Sequence, residues 1–151
     1  NEVEKIARRL GAQAVVGCLP IGIDKNGEAY WYNYQTKQKC LLNERLLSLI
    51  KEELISEILL VDWQHEGYEE AFAFTILELF KKYNVPLIVF GGLSSSKVLK
   101  KAFNVSQVVS AVIGNKLNYS ELAVQKLKKQ LILAPIRPAY YHDRSIFNHY
   151  E

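Results

Sequence analysis

Continuous apolar runs of strand length alternate along the chain with segments in which apolar residues recur at helical spacing. The apolar runs at 12–19, 57–62, 85–90 and 107–113 predict four strands that are buried on both faces. Strands of this kind are parallel and are joined by helices, so the pattern predicts an α/β fold. The sheet can be open and doubly wound, or it can close into a (β/α)8 barrel, of which four units are half.

Helices are predicted in the intervals between the strands. Two of these helices span 2–10 and 68–83. Three more begin after Asn43, after the glycine pair at 91–92, and after Asn118 or Ser120. Asn26 and Gly27 form a turn signal between 21–23 and the aromatic run at 29–34, which predicts a small β-hairpin inserted after the first strand.

The strand–helix units extend over residues 1–134 as one half-barrel, and residues 135–151 form a C-terminal tail that is rich in Tyr, His and Pro. Four units alone leave two open sheet edges and a half-covered interior, an arrangement that is prone to aggregation. The chain also contains no methionine. We therefore expect residues upstream of Asn1 that supply a missing N-terminal half, or pairing with a second half-barrel.

Composition narrows the class of protein. The net charge of +3 is spread over helix faces such as 97–101 and 126–129, which is typical of solvated surface and argues against a nucleic-acid partner. No apolar run reaches the roughly 20 residues of a membrane span, so no membrane partner is expected.

Cys18 and Cys40 lack metal-ligand spacing and are predicted to be buried thiols in a reducing compartment, the cytoplasm. Neither a metal nor another cofactor is expected.

A glycine-rich loop is the first candidate site. Gly91 and Gly92 follow a predicted strand and lead through Ser94 into a helix. Glycines allow the backbone to approach a phosphate closely, and a helix N-terminus offers free N–H groups. In a barrel the next strand end, at Ile113 and Gly114, would complete the same phosphate site. The alternative is a tight turn with a serine that caps the helix.

His65 and Glu66 form a second candidate site in the loop after the strand at 57–62. A histidine beside a carboxylate can support proton transfer near neutral pH. The alternative is an ordinary polar loop. Asp62, at the end of that strand, would need a partner if it is buried.

Three stretches carry a resemblance to a known family. GAQAVV at 11–16, SEILL at 56–60 and VPLIVFGG at 85–92 resemble the fifth, sixth and seventh strands of HisF, the cyclase subunit of imidazole glycerol phosphate synthase. The hairpin at 28–34 falls where that family inserts one, and the order and spacing hold to about residue 131. HisA barrels are similar as well, but EILL and the hairpin favour HisF.

The resemblance implies the C-terminal half of a (β/α)8 barrel and a reaction of the cyclase type. Ammonia from a glutaminase partner joins a phosphorylated ribosyl substrate, an imidazole ring closes, and an aminoimidazole carboxamide nucleotide is released. Two aspartates at strand ends do the acid–base work in the family. One lies in the other half-barrel, and the second aligns with Pro20, which cannot titrate. Asp24 takes that place only if three residues are inserted.

Further departures follow at 63–68, where the family motif IDRDGT reads WQHEGY. Gly67 is kept and joins the residues implied for phosphate binding. Glu66 preserves a carboxylate, so the catalytic candidates are Glu66, His65 and Asp24. These departures fit a HisF-like paralogue, of the kind that accompanies dedicated glutaminases in surface-sugar amidation. The alternative is a non-catalytic barrel that holds a glutaminase, which Pro20 favours.

Overall fold

The computed structural model describes residues 2–131, 134, 136 and 137. One mixed sheet contains β1 (Val16–Ile23), β2 (Ala29–Asn33), β3 (Gln38–Leu41), β4 (Glu57–Asp62), β5 (Leu87–Phe90) and β6 (Val108–Val112). The strand order is β3-β2-β1-β4-β5-β6. β1, β4, β5 and β6 pair in parallel, whereas β2 and β3 pair antiparallel. The predicted α/β class is confirmed, and the mostly parallel sheet is consistent with part of a (β/α)8 barrel.

The helices are α1 (Glu2–Leu10), α2 (Glu44–Lys51), α3 (Thr75–Glu78), α4 (Ser96–Phe103) and α5 (Ala123–Gln130). α1 ends at Gly11, whose φ of +86° suits glycine. The Asn43 side chain caps α2 by accepting a hydrogen bond from the N–H of Leu46 at 3.0 Å, as predicted. The predicted caps of the last helix are wrong, because residues 115–119 form a 3-10 turn and Leu122, at φ +52°, precedes α5.

The first parallel strand lies four residues later than predicted. Residues 12–14 form a 3-10 turn after Gly11, so the strand begins only at Val16. At its other end β1 continues through Ile23 because its last three residues pair with β2. Pro20 therefore lies within the strand, opposite Val61 of β4, at a place where β2 has not yet begun to pair.

The hairpin after β1 is confirmed, and it is longer than predicted. Asn26 and Gly27 make the turn between β1 and β2, with Gly27 at φ +85°. β2 then turns back into β3, which the sequence patterns did not predict. β3 is short and polar, with an exposed lysine and glutamine, so its apolar alternation is weak.

The predicted helix at 68–83 is largely wrong, because only Thr75–Glu78 is helical. The N–H groups of Glu70, Ala71 and Ala73 donate to acceptors on Ser94, Gly92 and Asp62 instead of to the preceding helical turn. Hydrogen bonds to other segments of the chain have therefore replaced the hydrogen bonds of a helix. Phe72 and Phe80 of this segment are nevertheless both buried in the core.

One face of the parallel sheet carries the core and the other is open. Leu19, Ile58 and Val89 belong to the buried face, together with side chains of α2, α3 and α4. Because side chains alternate along a strand, Cys18 points to the opposite face and is exposed. Cys40 is only half-buried. The prediction of two buried thiols was therefore wrong, since no described helix packs on that second face.

The predicted tail at 135–151 lies outside the described residues except for Ile136 and Arg137, of which Ile136 packs against the core. The expectation of further residues before Asn1 also falls outside the described part of the chain. None of the described helices has the length and apolar character that a membrane span requires.

Candidate functional site

Three neighbouring loops frame a cavity of about 680 Å³ at the carboxyl ends of β4, β5 and β6. Parallel strands end at the same edge of a sheet, so the loops that follow them meet there. Seven of the sequence-based candidates line the cavity: Glu66, Gly67, Gly91, Gly92, Ser94, Ile113 and Gly114. The structure thus brings together every residue predicted for phosphate binding.

The glycine pair is required by its backbone conformation and by close neighbours. Gly91 and Gly92 have φ values of +103° and +63°, which disfavour other residues. A Cβ on Gly91 would collide with the carbonyl oxygen of Asp62, and one on Gly92 would lie 2.5 Å from the backbone nitrogen of Phe72. The loop after β5 therefore packs tightly on the loop after β4.

Hydrogen bonds hold these two loops together. The N–H of Ala71 donates to the carbonyl of Gly92 at 3.1 Å, and the N–H of Glu70 donates to the Ser94 hydroxyl at 3.0 Å. Ser95, the next residue, caps α4 through the N–H of Val98 at 3.4 Å. The glycine loop is therefore fixed on both sides before any ligand is considered.

Some of the residues that line the cavity have backbone N–H groups without a described hydrogen-bond acceptor. No described residue accepts a hydrogen bond from the N–H groups of Leu93, Ser94 or Gly114, although all three residues line the cavity. The helix α4 that starts just beyond them adds its partial positive charge. Uncommitted N–H groups beside a helix N-terminus are what a phosphate group requires.

Asp62 has the partner that a buried carboxylate needs. Its side chain has no exposed surface, and it accepts hydrogen bonds from Nδ1 of His65 at 2.8–2.9 Å and from the N–H of Ala73 at 2.8 Å. A carboxylate oxygen acts as the acceptor in such a pair, so Nδ1 of His65 is assigned as the donor. In the neutral ring Nε2 is then the proton acceptor, and no described residue bonds to it.

The candidate catalytic residues separate into two groups. Glu66 lines the cavity. Burial raises the pKa of the nearby Tyr34 hydroxyl, and the charge of Glu66 is the second cause of this shift. His65 is adjacent but belongs to the pair with Asp62 and does not line the cavity. Asp24 lies in the hairpin turn, where its Oδ1 accepts hydrogen bonds from the N–H groups of Asn26 and Glu28, both at 2.8 Å.

An aromatic cluster from the hairpin borders the cavity. Trp63, which lines it, packs against Tyr32 and Tyr30, with ring centroids 4.7 and 6.1 Å apart. The Lys39 ammonium lies 4.7 Å from the Tyr30 ring. The Tyr30 hydroxyl is buried without a hydrogen-bond partner among the described residues. Tyr30 and Tyr32 of β2 thus pack with Trp63 into one aromatic face.

Several lining residues were missed from the sequence: Trp63, Tyr68, Glu69, Lys116 and Tyr119. Lys116 follows closely after a predicted strand end, which was a usable signal. Glu69 had none, because it was assigned to a helix. Among the described residues no group of three or more His, Cys, Asp or Glu side chains is arranged to hold a metal ion.

Comparison with known proteins gives consistent matches. A family model described as histidine biosynthesis protein matches residues 1–123. The imidazole glycerol phosphate synthase subunit HisF of Streptococcus gordonii is 25% identical over 129 residues, which are 83% of this chain and 50% of that protein. The HisF subunit of Actinobacillus pleuropneumoniae serotype 7 is 28% identical over 138 residues, or 87% of this chain and 54% of that protein.

A third relative, the HisF subunit of Prochlorococcus marinus strain NATL2A, is 26% identical over 145 residues, or 90% of this chain and 56% of its own length. The chain spans about half the length of the curated relatives it matches. The family resemblance noted from the sequence is confirmed by these matches.

Proposed function

Because the chain belongs to the histidine biosynthesis protein family, we propose that it is a HisF-type barrel subunit that binds a phosphorylated substrate. The cavity at the carboxyl ends of β4, β5 and β6 carries this proposal. It combines a glycine pair at positive φ with N–H groups that have no described acceptor. That combination matches the phosphate site that the family resemblance implies for Gly67, Gly91, Gly92, Ser94, Ile113 and Gly114.

The proposed chemistry uses ammonia supplied by a glutaminase subunit. The matched relatives are named as subunits of imidazole glycerol phosphate synthase, which supports the cyclase type. A paralogue that serves surface-sugar amidation is the narrower form of the same proposal. Glu66 is the proposed acid–base group because its carboxylate lines the cavity. His65, oriented by Asp62, is proposed to assist it through Nε2.

The open face of the sheet supports a second proposed partner. Val16 and Val112 point away from the core and are 48% and 40% exposed. β6 has no described neighbour on its outer side. A further half-barrel, in the same chain or in a second one, would cover this face and close the sheet.

A non-catalytic barrel that holds a glutaminase is the second candidate function. Pro20 is buried within β1 at the position that aligns with the family's aspartate. Asp24 does not replace that aspartate in the sheet, because its carboxylate closes the hairpin turn. One of the two acid–base groups of the family is thus absent from the strand, which favours a scaffold.

Ammonia-dependent turnover of the cyclase substrate by the full-length protein tests the proposal. Glu66→Gln is expected to lower kcat about 100-fold or more, the usual contribution of a general acid or base. Asp24→Asn is the matched control and should stay within about twofold, because an amide oxygen can still accept the turn hydrogen bonds.

The turnover of these variants distinguishes the cyclase from the non-catalytic scaffold. Turnover abolished by Asp24→Asn would contradict this assignment and indicate an ordinary cyclase. No turnover with any variant, while the protein still binds phosphate, would favour the scaffold.

A further inference from the structure

We propose that Lys116 binds the phosphate group directly and that Glu69 holds this lysine before phosphate arrives. The inference rests on the phosphate site proposed above and adds a residue that the resemblance does not imply. Lys116 Nζ lies 3.2 Å from Glu69 Oε1. Both residues line the cavity formed with the glycine loop. The ion pair is therefore part of the cavity wall.

The two residues come from opposite sides of the glycine loop. Glu69 follows β4, and Lys116 follows β6, so 47 positions separate them in the sequence. β5 lies between these strands in the sheet, and its loop carries Gly91 and Gly92. The ion pair consequently spans the cavity on either side of the loop that is proposed to bind phosphate.

The charge balance of the cavity requires this cation. Among the described lining residues, Glu66 and Glu69 are acidic, and Lys116 is the basic one. A phosphate monoester carries about −1.5 to −2 charges at neutral pH. Two carboxylates beside it would oppose binding, whereas an ammonium group would offset them. Backbone N–H groups orient a phosphate but carry no net charge.

Lys116 can exchange Glu69 for another acceptor at little cost in free energy. The side chains of Lys116 and Glu69 are 46% and 76% exposed. An ion pair in such a setting contributes little to stability because water and salt screen it. A phosphate offers three acceptor oxygens with a higher charge, and hydrogen bonds between ionised groups are the stronger kind. Lys116 can therefore leave Glu69 for a phosphate, after which Glu69 is free to turn into solvent.

The experiment measures the Kd of inorganic phosphate at pH 7.5 and constant ionic strength. It follows the backbone amide signals of residues 91–94 and 114 in ¹H–¹⁵N spectra of the whole chain. Lys116→Ala is expected to raise Kd about fivefold to twentyfold, and Lys116→Arg to stay within about threefold of wild type. Glu69→Gln should lower Kd about twofold to fivefold, because it removes both a competitor and a repelling charge.

A second exposed Lys–Glu pair provides the matched control. Lys81 and Glu78 form an ion pair at α3, with side chains 60% and 59% exposed, and neither lines the cavity. Lys81→Ala and Glu78→Gln should leave Kd within about twofold of wild type.

The measurements distinguish a failure of the proposed phosphate site from a failure of the role proposed for Lys116. If wild-type amides do not respond to phosphate, the proposed phosphate site itself fails. If the wild type binds and Lys116→Ala matches Lys81→Ala, the role of Lys116 is wrong while the site stands. A Glu69→Gln variant that binds more weakly would refute the partner exchange.

Discussion

Asp62 shows how a single side chain can organise a site without lining it. It is fully buried, so its carboxylate oxygens must be matched by hydrogen-bond donors. The His65 ring and the N–H of Ala73 supply them. These bonds draw the loop after β4 back onto the strand end, next to the place where Gly91 passes. Asp62 therefore links β4, the His65 side chain and the glycine loop.

Replacing Asp62 with alanine should lower the free energy of unfolding by about 2–4 kcal/mol, because two donors lose their acceptor in a buried setting. Asp62→Asn should cost less, since its amide oxygen can still accept from the N–H of Ala73. Urea denaturation of both variants and the wild type measures the difference. An Asp62→Ala protein that unfolds at the wild-type urea concentration would show that water replaces the carboxylate.

At the scale of elements, the connection between α3 and β5 depends on the side chain of Gln107, which lies in the turn before β6. The chain leaves helical geometry after Glu78 and reaches β5 only at Leu87. Its carbonyls must find donors without a helix. The Gln107 side-chain nitrogen supplies them at Phe80, Tyr83 and Val85, at 3.2, 2.6 and 3.4 Å.

Gln107→Ala is therefore expected to destabilise the protein by about 1–3 kcal/mol, because the carbonyls of Tyr83 and Val85 lose their described donor. Gln38→Ala, an exposed glutamine on the edge strand β3, is the control and should change stability by less than about 0.5 kcal/mol. Thermal or urea unfolding of the two variants gives the comparison. Equal stability of both would mean that the Gln107 hydrogen bonds are replaced by water at no cost.

At the scale of the whole molecule, the uncovered sheet face is the dominant feature. Val16 and Val112 on that face remain exposed, together with Cys18. Exposed apolar residues that share one face of a sheet mark a surface that packs against another unit. Cys18 reports on this surface, and partial burial raises the pKa of its thiol.

Alkylation by iodoacetamide should modify Cys18 in the chain alone, with a rate that keeps rising above the pH at which a free cysteine is fully ionised. The sign follows from the raised pKa, because only the thiolate reacts and it forms at higher pH. In a protein with both half-barrels Cys18 should react at least about tenfold more slowly, while Cys40 on β3 should be unchanged. Mass spectrometry of the modified peptides measures both. Equal reactivity of Cys18 in the two states would contradict coverage of this face.

Local features could be read from the sequence because they depend on residues a few positions apart. The alternation of apolar runs predicted the α/β class, Asn43 predicted its helix cap, and Asn26 with Gly27 predicted the hairpin turn. The resemblance at 85–92 located the glycine loop, and Gly91 and Gly92 do line the cavity. For the helix cap and the hairpin turn the deciding contact lies within one turn, whereas the glycine loop was located through the resemblance.

The tertiary structure alone decided where distant segments compete for the same groups. The 68–74 segment lost its helix to acceptors on Ser94, Gly92 and Asp62, which no helical period records. Pairing with β2 prolonged β1 and left Pro20 inside it. The ion pair of Glu69 with Lys116 joins residues 47 positions apart. Such contacts are set by which strands lie side by side, and that order exists only once the sheet has formed.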